Sequence, residues 1–255
     1  EKGSVIGGTT ALSAGITQAA GTSYQKEFTA YQDDTPERHF QWYKALGEGW
    51  VDEELVKDLA YGCPEVIRWY VEDLGITIGD FSGQSHVPYA DEYYAVRIHR
   101  PDGQGAGLIA AMKAKAEANG AEFFYETPAV QLVQVEDGSV TGVIGKTKDG
   151  YVKFNAAKAV IVAAGDYQNN ESLVTRYSPD IVRFQRKQVN MTGDGILMNM
   201  AVGARMVPVN HAKTMHDMDA GPMLMTGYPF MALNERGERF MNEDIPMESW
   251  DLSLQ

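Results

Sequence analysis

The chain is short of the residues that build covalent or metallic cross-links. Cys63 is its only cysteine, which excludes an internal disulfide and any cysteine-ligated zinc or iron–sulfur cluster within these residues. Cys63 itself reads as a small buried or half-buried helix residue. Positive charge is also scarce, with 22 Lys and Arg against 35 Asp and Glu and a formal charge of −13. No basic run offsets that balance, so the surface repels nucleic acid phosphates and anionic membranes, and neither is expected as a partner. No apolar stretch is long enough to span a bilayer as a helix. The opening Glu1-Lys2-Gly3-Ser4 has the look of neither an initiator nor a signal peptide. Internal repeats and low-complexity tracts are lacking as well.

What is present fits an ordinary α/β protein: 44% hydrophobic residues, 22% charged residues and 26 glycines over 255 positions, enough chain for a sizeable core. After a Gly-, Ala-, Ser- and Thr-rich opening of about thirty residues, the pattern turns helical over 35–75. Phe40, Tyr43 and Leu46, then Leu55 and Leu59, then Val66, Ile67, Tyr70, Val71 and Leu74 recur at helical spacing and predict two or three amphipathic helices. Pro64 is expected near the start of the last helix and Gly75 at its end. Residues 79–105 show no sustained period and read as a long surface excursion. A helix is predicted over 105–120 and a strand over 122–125.

Strands over 130–135 and 140–146, joined at Asp137-Gly138, and a third over 151–155 after Asp149-Gly150 predict an antiparallel meander. The apolar run 159–164, closed by Gly165, reads as a buried parallel strand. A helix follows over 196–203, then a Met-rich stretch that suits adaptable packing better than metal binding. Short strands are expected at 231–233 and 239–241.

Three segments carry chemistry. Gly7-Gly8-Thr9-Thr10, followed by Ser13-Ala14-Gly15, offers backbone N–H groups without bulky side chains, able to approach a pyrophosphate or a flat ring. By itself this pattern also describes a tight turn. Glu1 is the acidic type that binds a ribose hydroxyl about 20 residues after a Gly-x-Gly-x-x-Gly fingerprint, and that fingerprint is missing from the chain. Thr192-Gly193-Asp194-Gly195 places two glycines at a helix start, where backbone amides can hold a pyrophosphate or ribityl chain and Asp194 can accept ribityl hydroxyl protons.

With Asn234-Glu235-Arg236-Gly237-Glu238-Arg239-Phe240-Met241-Asn242-Glu243, these segments in this order resemble the fumarate reductase and succinate dehydrogenase flavoprotein superfamily from Glu1 to about Glu243. The resemblance implies an α/β, Rossmann-like FAD-binding domain over 1–208 with an antiparallel β-meander insert, and the start of an α+β capping domain over 209–255. The chain is therefore expected to be a fragment lacking the N-terminal Gly-rich unit and the C-terminal part. It implies FAD as cofactor, with Glu1 on the adenosine ribose, and Gly7, Gly8, Thr9 and Thr10 along the pyrophosphate and flavin. Ala14 and Gly15 would lie near the reactive ring and Val130 would meet the adenine through its backbone. Ala163, Ala164 and Gly165 would close over the nucleotide, while Thr192, Gly193 and Asp194 return to the flavin. Asp166 stands where the family usually has a second glycine, and either disturbs that close turn or occupies a permissive site.

Near the expected substrate the sequence departs from the family. His211 matches a substrate-binding histidine, but Ala212 and Lys213 follow it, Gly227 stands in place of a glutamate, and Met247 in place of the proton-delivering arginine. A dicarboxylate needs paired cations when desolvated, so fumarate is not the expected substrate. The implied reaction is that of an FAD-dependent oxidoreductase acting on a carbon–carbon bond conjugated to a carbonyl, in a small enoate or enone. Tyr228 is the first candidate proton donor and His211 the second. Electrons would come from another domain, a partner protein or a diffusible donor. The family points to a bacterial protein of anaerobic respiration, cytoplasmic or exported. The alternative expectation is a folded piece of such a flavoprotein that neither holds FAD nor catalyses by itself; a nicotinamide dehydrogenase is excluded by the missing fingerprint.

Overall fold

A computed structural model describes residues 1–82, 88–183, 186, 190–207, 231 and 233–240. The chain divides into two compact units, one of residues 1–13 with 112–212 and one of residues 14–111 with 213–255. The expected domain boundary at 208/209 falls outside the described residues.

In the second of these units the predicted helical region resolves into α3 (Pro36–Leu46) and α4 (Glu53–Glu72), and a short helix that was not predicted, α2 (Ser23–Phe28), precedes it. Each begins where a side-chain oxygen accepts an otherwise unmade backbone N–H: Thr22 from Gln25, Thr35 from Arg38, and Asp52 from Glu54 and Leu55. Pro36 occupies the first turn of α3, the position proline tolerates. Pro64, expected at a helix start, lies instead in the interior of α4. The helix runs through it because the same face buries Ala60, Ile67 and Tyr70, and that burial outweighs the local cost of proline. Gly75 follows the helix with a φ of 66°, the left-handed conformation that terminates many helices.

The expected excursion over 79–105 is more ordered than its composition suggests. It contains β2 (Ile78–Ser82), a short 3-10 segment (Pro88–Tyr93) and β3 (Ile98–Pro101). With β1 (Thr17–Gln18) the strands form an antiparallel sheet in the order β1-β3-β2. The central strand is held by polar contacts rather than by an apolar period. Arg97 and Asp34, 2% and 1% exposed at their side chains, make two hydrogen bonds of 2.8 Å. Gln25 donates to the same carboxylate at 2.8 Å, and the Arg97 guanidinium stands 5.8 Å from the Trp42 ring centre. His99, fully buried, sits 2.8 Å from the Arg97 carbonyl through Nδ1 and 2.7 Å from the Thr22 hydroxyl through Nε2. A carbonyl only accepts, so Nδ1 carries the hydrogen and Nε2 accepts from Thr22.

The other unit holds the meander β4 (Ala129–Gln134), β5 (Val140–Thr147) and β6 (Gly150–Asn155), with β5 central, as predicted. Gly138 and Gly150 take positive φ at the two turns. Its helices are α1 (Gly8–Leu12), α6 (Glu171–Tyr177) and α7 (Asp194–Ala201), and the division between the units falls within α5 (Gln104–Ala118). Two strand expectations fail. Residues 122–125 are irregular, and this stretch serves the N-terminal residues instead: the Glu1 amino group donates to the Phe124 carbonyl at 3.0 Å, and the N–H of Glu126, just past it, to the Gly3 carbonyl at 3.0 Å. The run 159–164 is neither a strand nor buried, and Ile161 is 90% exposed. Its composition suits a buried strand, but no described strand pairs with it, and an apolar run without a neighbour cannot complete a ladder. The expected short strands near 231–241 reduce to one antiparallel bridge, Leu233 with Arg239, across a turn at Gly237.

Candidate FAD site

The Thr192-Gly193-Asp194-Gly195 segment is the start of α7, and its glycines are fixed by their surroundings. Gly193 has a φ of 74°, and a Cβ there would lie 2.5 Å from Leu173 Cδ1 and 3.0 Å from Tyr167 Cβ. At Gly195 a Cβ would lie 2.8 Å from Val162 Cγ1 and 2.9 Å from Ala164 Cβ. The helix start can therefore settle onto Leu173 and Tyr167 at position 193, and onto 162–164 at position 195, only with hydrogen at these two positions. Gly193 N–H donates to the Asp166 carbonyl at 3.0 Å, and Asn170 both caps α6 and donates to the Thr192 carbonyl at 3.0 Å. The turn at 165–166 is intact: Gly165 takes a φ of 78°, and Asp166 accepts from Gln168 N–H at 2.8 Å while remaining exposed. Position 166 is thus a permissive site.

Met191, which precedes the loop, sits against two of the other predicted segments. A Cβ at Gly8 would lie 3.7 Å from its Cε and one at Gly165 only 2.4 Å from its Sδ. The N-terminal stretch reaches the same place from another side. Lys2 Nζ donates to Thr192 Oγ1 at 2.6 Å and to Asp194 Oδ2 at 2.8 Å, and Thr192 Oγ1 donates to Asp194 Oδ1 at 2.9 Å. Burial alone raises the Asp194 carboxyl, but the hydrogen bonds from Lys2 and Thr192 outweigh it and hold the group below the ordinary aspartate value. Glu1 is exposed, with Oε1 accepting from Gly3 N–H at 2.7 Å.

Beside this loop, β4 and α7 flank an open cleft of about 620 Å³ whose lining includes Val130, Leu132, Asp194, Leu197, Met198 and Ala201. The register of β4 against β5 shifts between Ala129 and Gln131, which makes Val130 the extra residue of a bulge and frees its backbone from the ladder.

One unit therefore contains Glu1, Gly7, Gly8, Thr9, Thr10, Val130, Ala163, Ala164, Gly165, Thr192, Gly193 and Asp194, with Thr9, Thr10, Ala163, Ala164 and Gly165 exposed. The donor set suits a dinucleotide: a carboxylate for a ribose, exposed threonine hydroxyls and glycine amides for phosphates, and a bulged apolar strand for a flat base. Ala14 and Gly15 belong to the other unit, where a Cβ at Gly15 would lie 2.8 Å from the backbone of both Gln104 and Gly105. Tyr228 and His211 lie outside the described residues. Lys2 and Met191 are the residues that sequence reasoning passed over. A single lysine beside Glu1 and a methionine before a glycine loop carry no periodic or motif signal, and only the fold brings them to the site.

Residues 1–250 match the family described as FAD binding domain. The chain belongs to this FAD-binding family. It is 27% identical over 255 residues to a probable fumarate reductase of Shewanella frigidimarina, covering 95% of this chain and 41% of that protein. It is 26% identical over 255 residues to urocanate reductase of Eggerthella lenta, with the same two coverages, 95% and 41%. The chain thus spans about two fifths of the length of these curated relatives. Among solved structures it is similar to 3-ketosteroid-Δ4-(5α)-dehydrogenase of Rhodococcus jostii in complex with 4-androstene-3,17-dione, at 27% identity and a TM-score of 0.72 over 80% of this chain and 48% of that one. The fold is that of the FAD-binding flavoprotein oxidoreductases, and the cofactor is FAD. Among the described residues no group of His, Cys, Asp and Glu is placed to hold a metal ion, and no helix is long and apolar enough to cross a membrane.

Proposed function

We propose that this chain serves an FAD-dependent oxidoreductase that reduces or dehydrogenates a carbon–carbon bond conjugated to a carbonyl, in an enoate or enone rather than fumarate. The observation that carries the reading is the convergence of Glu1, Gly8, Gly165 and Thr192–Asp194 within one unit of an FAD-family chain. FAD, when bound, supplies the hydride chemistry. Glu1 accepts from the adenosine ribose, and the amides of Gly7 and Gly8 with the hydroxyls of Thr9 and Thr10 donate to the pyrophosphate. The Val130 backbone meets the adenine. Ala163, Ala164 and Gly165 close over the nucleotide, and Asp194 accepts from the ribityl chain. By the family resemblance, Ala14 and Gly15 would lie near the reactive ring. Tyr228, or failing it His211, would hold the proton donated to the substrate carbon.

Met247, where the family carries an arginine, removes a cation that the pairing of two substrate carboxylates requires, and Gly227 stands where the family carries a glutamate. A relative described as a urocanate reductase and a structural neighbour solved with 4-androstene-3,17-dione keep conjugated substrates in view. The electron donor is a separate domain, a partner protein or a diffusible reductant.

The test is anaerobic reoxidation of the dithionite-reduced, FAD-loaded protein by fumarate, an aromatic enoate and a cyclic enone. Oxidation by the enoate or enone, slowed about 100-fold or more by Tyr228→Phe, is the expected result. Oxidation by fumarate alone contradicts the reading.

A further inference from the structure

Asp194 presents an electrostatic problem to any cofactor with a diphosphate. It is an ionised carboxylate at the start of α7, in a chain of formal charge −13, and in the same unit as the segment 7–10 proposed to take the pyrophosphate. Two like charges brought together in a half-buried site repel unless a cation stands between them. The structure supplies one from the far end of the sequence. Lys2, 26% exposed at its side chain, bonds to Asp194 Oδ2 and to Thr192 Oγ1, whose hydroxyl in turn holds Asp194 Oδ1. The three groups close a ring that ties the stretch carrying Glu1 to the loop carrying Gly193. Neither end of the ring is loose: the Glu1 carbonyl accepts from Thr127 N–H at 2.9 Å, and the Thr192 carbonyl accepts from Asn170 Nδ2.

We propose that Lys2 is a cofactor-positioning residue, which neutralises Asp194 and holds residues 192–194 in the form that receives the anionic dinucleotide. The inference rests on the FAD reading above and adds to it a named residue and a physical role. Lys2 contributes charge compensation, so its loss exposes FAD to the field of Asp194. A field effect is screened by salt, whereas a packing defect is not. Arginine can supply the same charge to the same two acceptors; methionine keeps the aliphatic stem and removes the charge.

The experiment measures FAD dissociation constants by quenching of flavin fluorescence for the wild type, K2M and K2R, at ionic strengths of about 0.02 and 0.5 M. K2M is expected to bind FAD roughly tenfold more weakly at low salt, with the ratio falling below about threefold at high salt, while K2R stays within about threefold of wild type throughout. Equal binding by K2M and wild type overturns the proposal, as does a loss that neither salt nor arginine relieves. If the wild-type chain takes up no FAD, the cofactor reading fails instead, and amide hydrogen exchange of the cofactor-free protein decides the lysine separately. K2M is expected to exchange faster over residues 193–197; unchanged protection there overturns the role assigned to Lys2.

Discussion

His39 is fully buried on α3, its ring centre 4.7 Å from that of Tyr43 and 6.3 Å from that of Trp42, and neither of its ring nitrogens has a hydrogen-bond partner among the described residues. Burial first, and the nearby Arg97 charge second, push its pKa down from 6.5 to about 3, against a smaller upward pull from Asp34. The folded value lies below the unfolded one, so the unfolded chain takes up the proton first as pH falls. Stability is therefore complete above pH 6.5 and declines as the pH falls from 6.5 towards 3. His39→Phe keeps the ring and deletes the titration. It is expected to flatten the acid limb of thermal stability over that window, measured by circular dichroism melts; an unaltered acid limb contradicts this account. The histidine was visible in the sequence, but its burial was not. The helical period marks Phe40 and Tyr43 as the inner face of α3 and leaves the neighbouring His39 open between a structural and an exposed position; Trp42 and the buried Asp34–Arg97 pair close around it.

At the scale of elements, two glycines in helices make opposite demands. Gly62, inside α4, has open space where an alanine methyl would stand, whereas Gly195 in the first turn of α7 is pressed against Val162 and Ala164. Gly62→Ala is expected to stabilise the protein by about 0.5–1 kcal/mol through lower unfolded-state entropy. Gly195→Ala is expected to cost about 1–3 kcal/mol through overpacking and to displace residues 192–194. Denaturant titration of both variants checks the pair, and effects of the same sign contradict the packing described for α7. The helices and the meander were legible because their signals are local: Thr35-Pro36 opens α3, and Asp137-Gly138 turns β4 into β5. The run 159–164 misled because strand formation needs a partner that its own residues cannot specify. The sheet containing β3 was missed for a related reason. Its central strand is secured by Arg97 and His99, whose partners Asp34 and Thr22 stand 63 and 77 residues away.

At the scale of the whole molecule, the Gly-Asp-Gly loop, the Glu1 stretch and the Gly-Thr segment were each weak as motifs and gained force from their order. The fold adds that twelve of the fourteen expected cofactor residues lie in one unit, with Ala14 and Gly15 in the other. What no local pattern shows is how, within that one unit, Lys2 and Met191 join the Glu1 stretch, Gly8, Gly165 and the Gly-Asp-Gly loop. The most direct test of the central claim is whether this chain holds FAD. The purified protein, incubated with excess FAD and passed through a gel-filtration column, is expected to elute yellow, with flavin absorbance under the protein peak. A colourless protein peak, with all the flavin in the small-molecule fractions, would contradict the account.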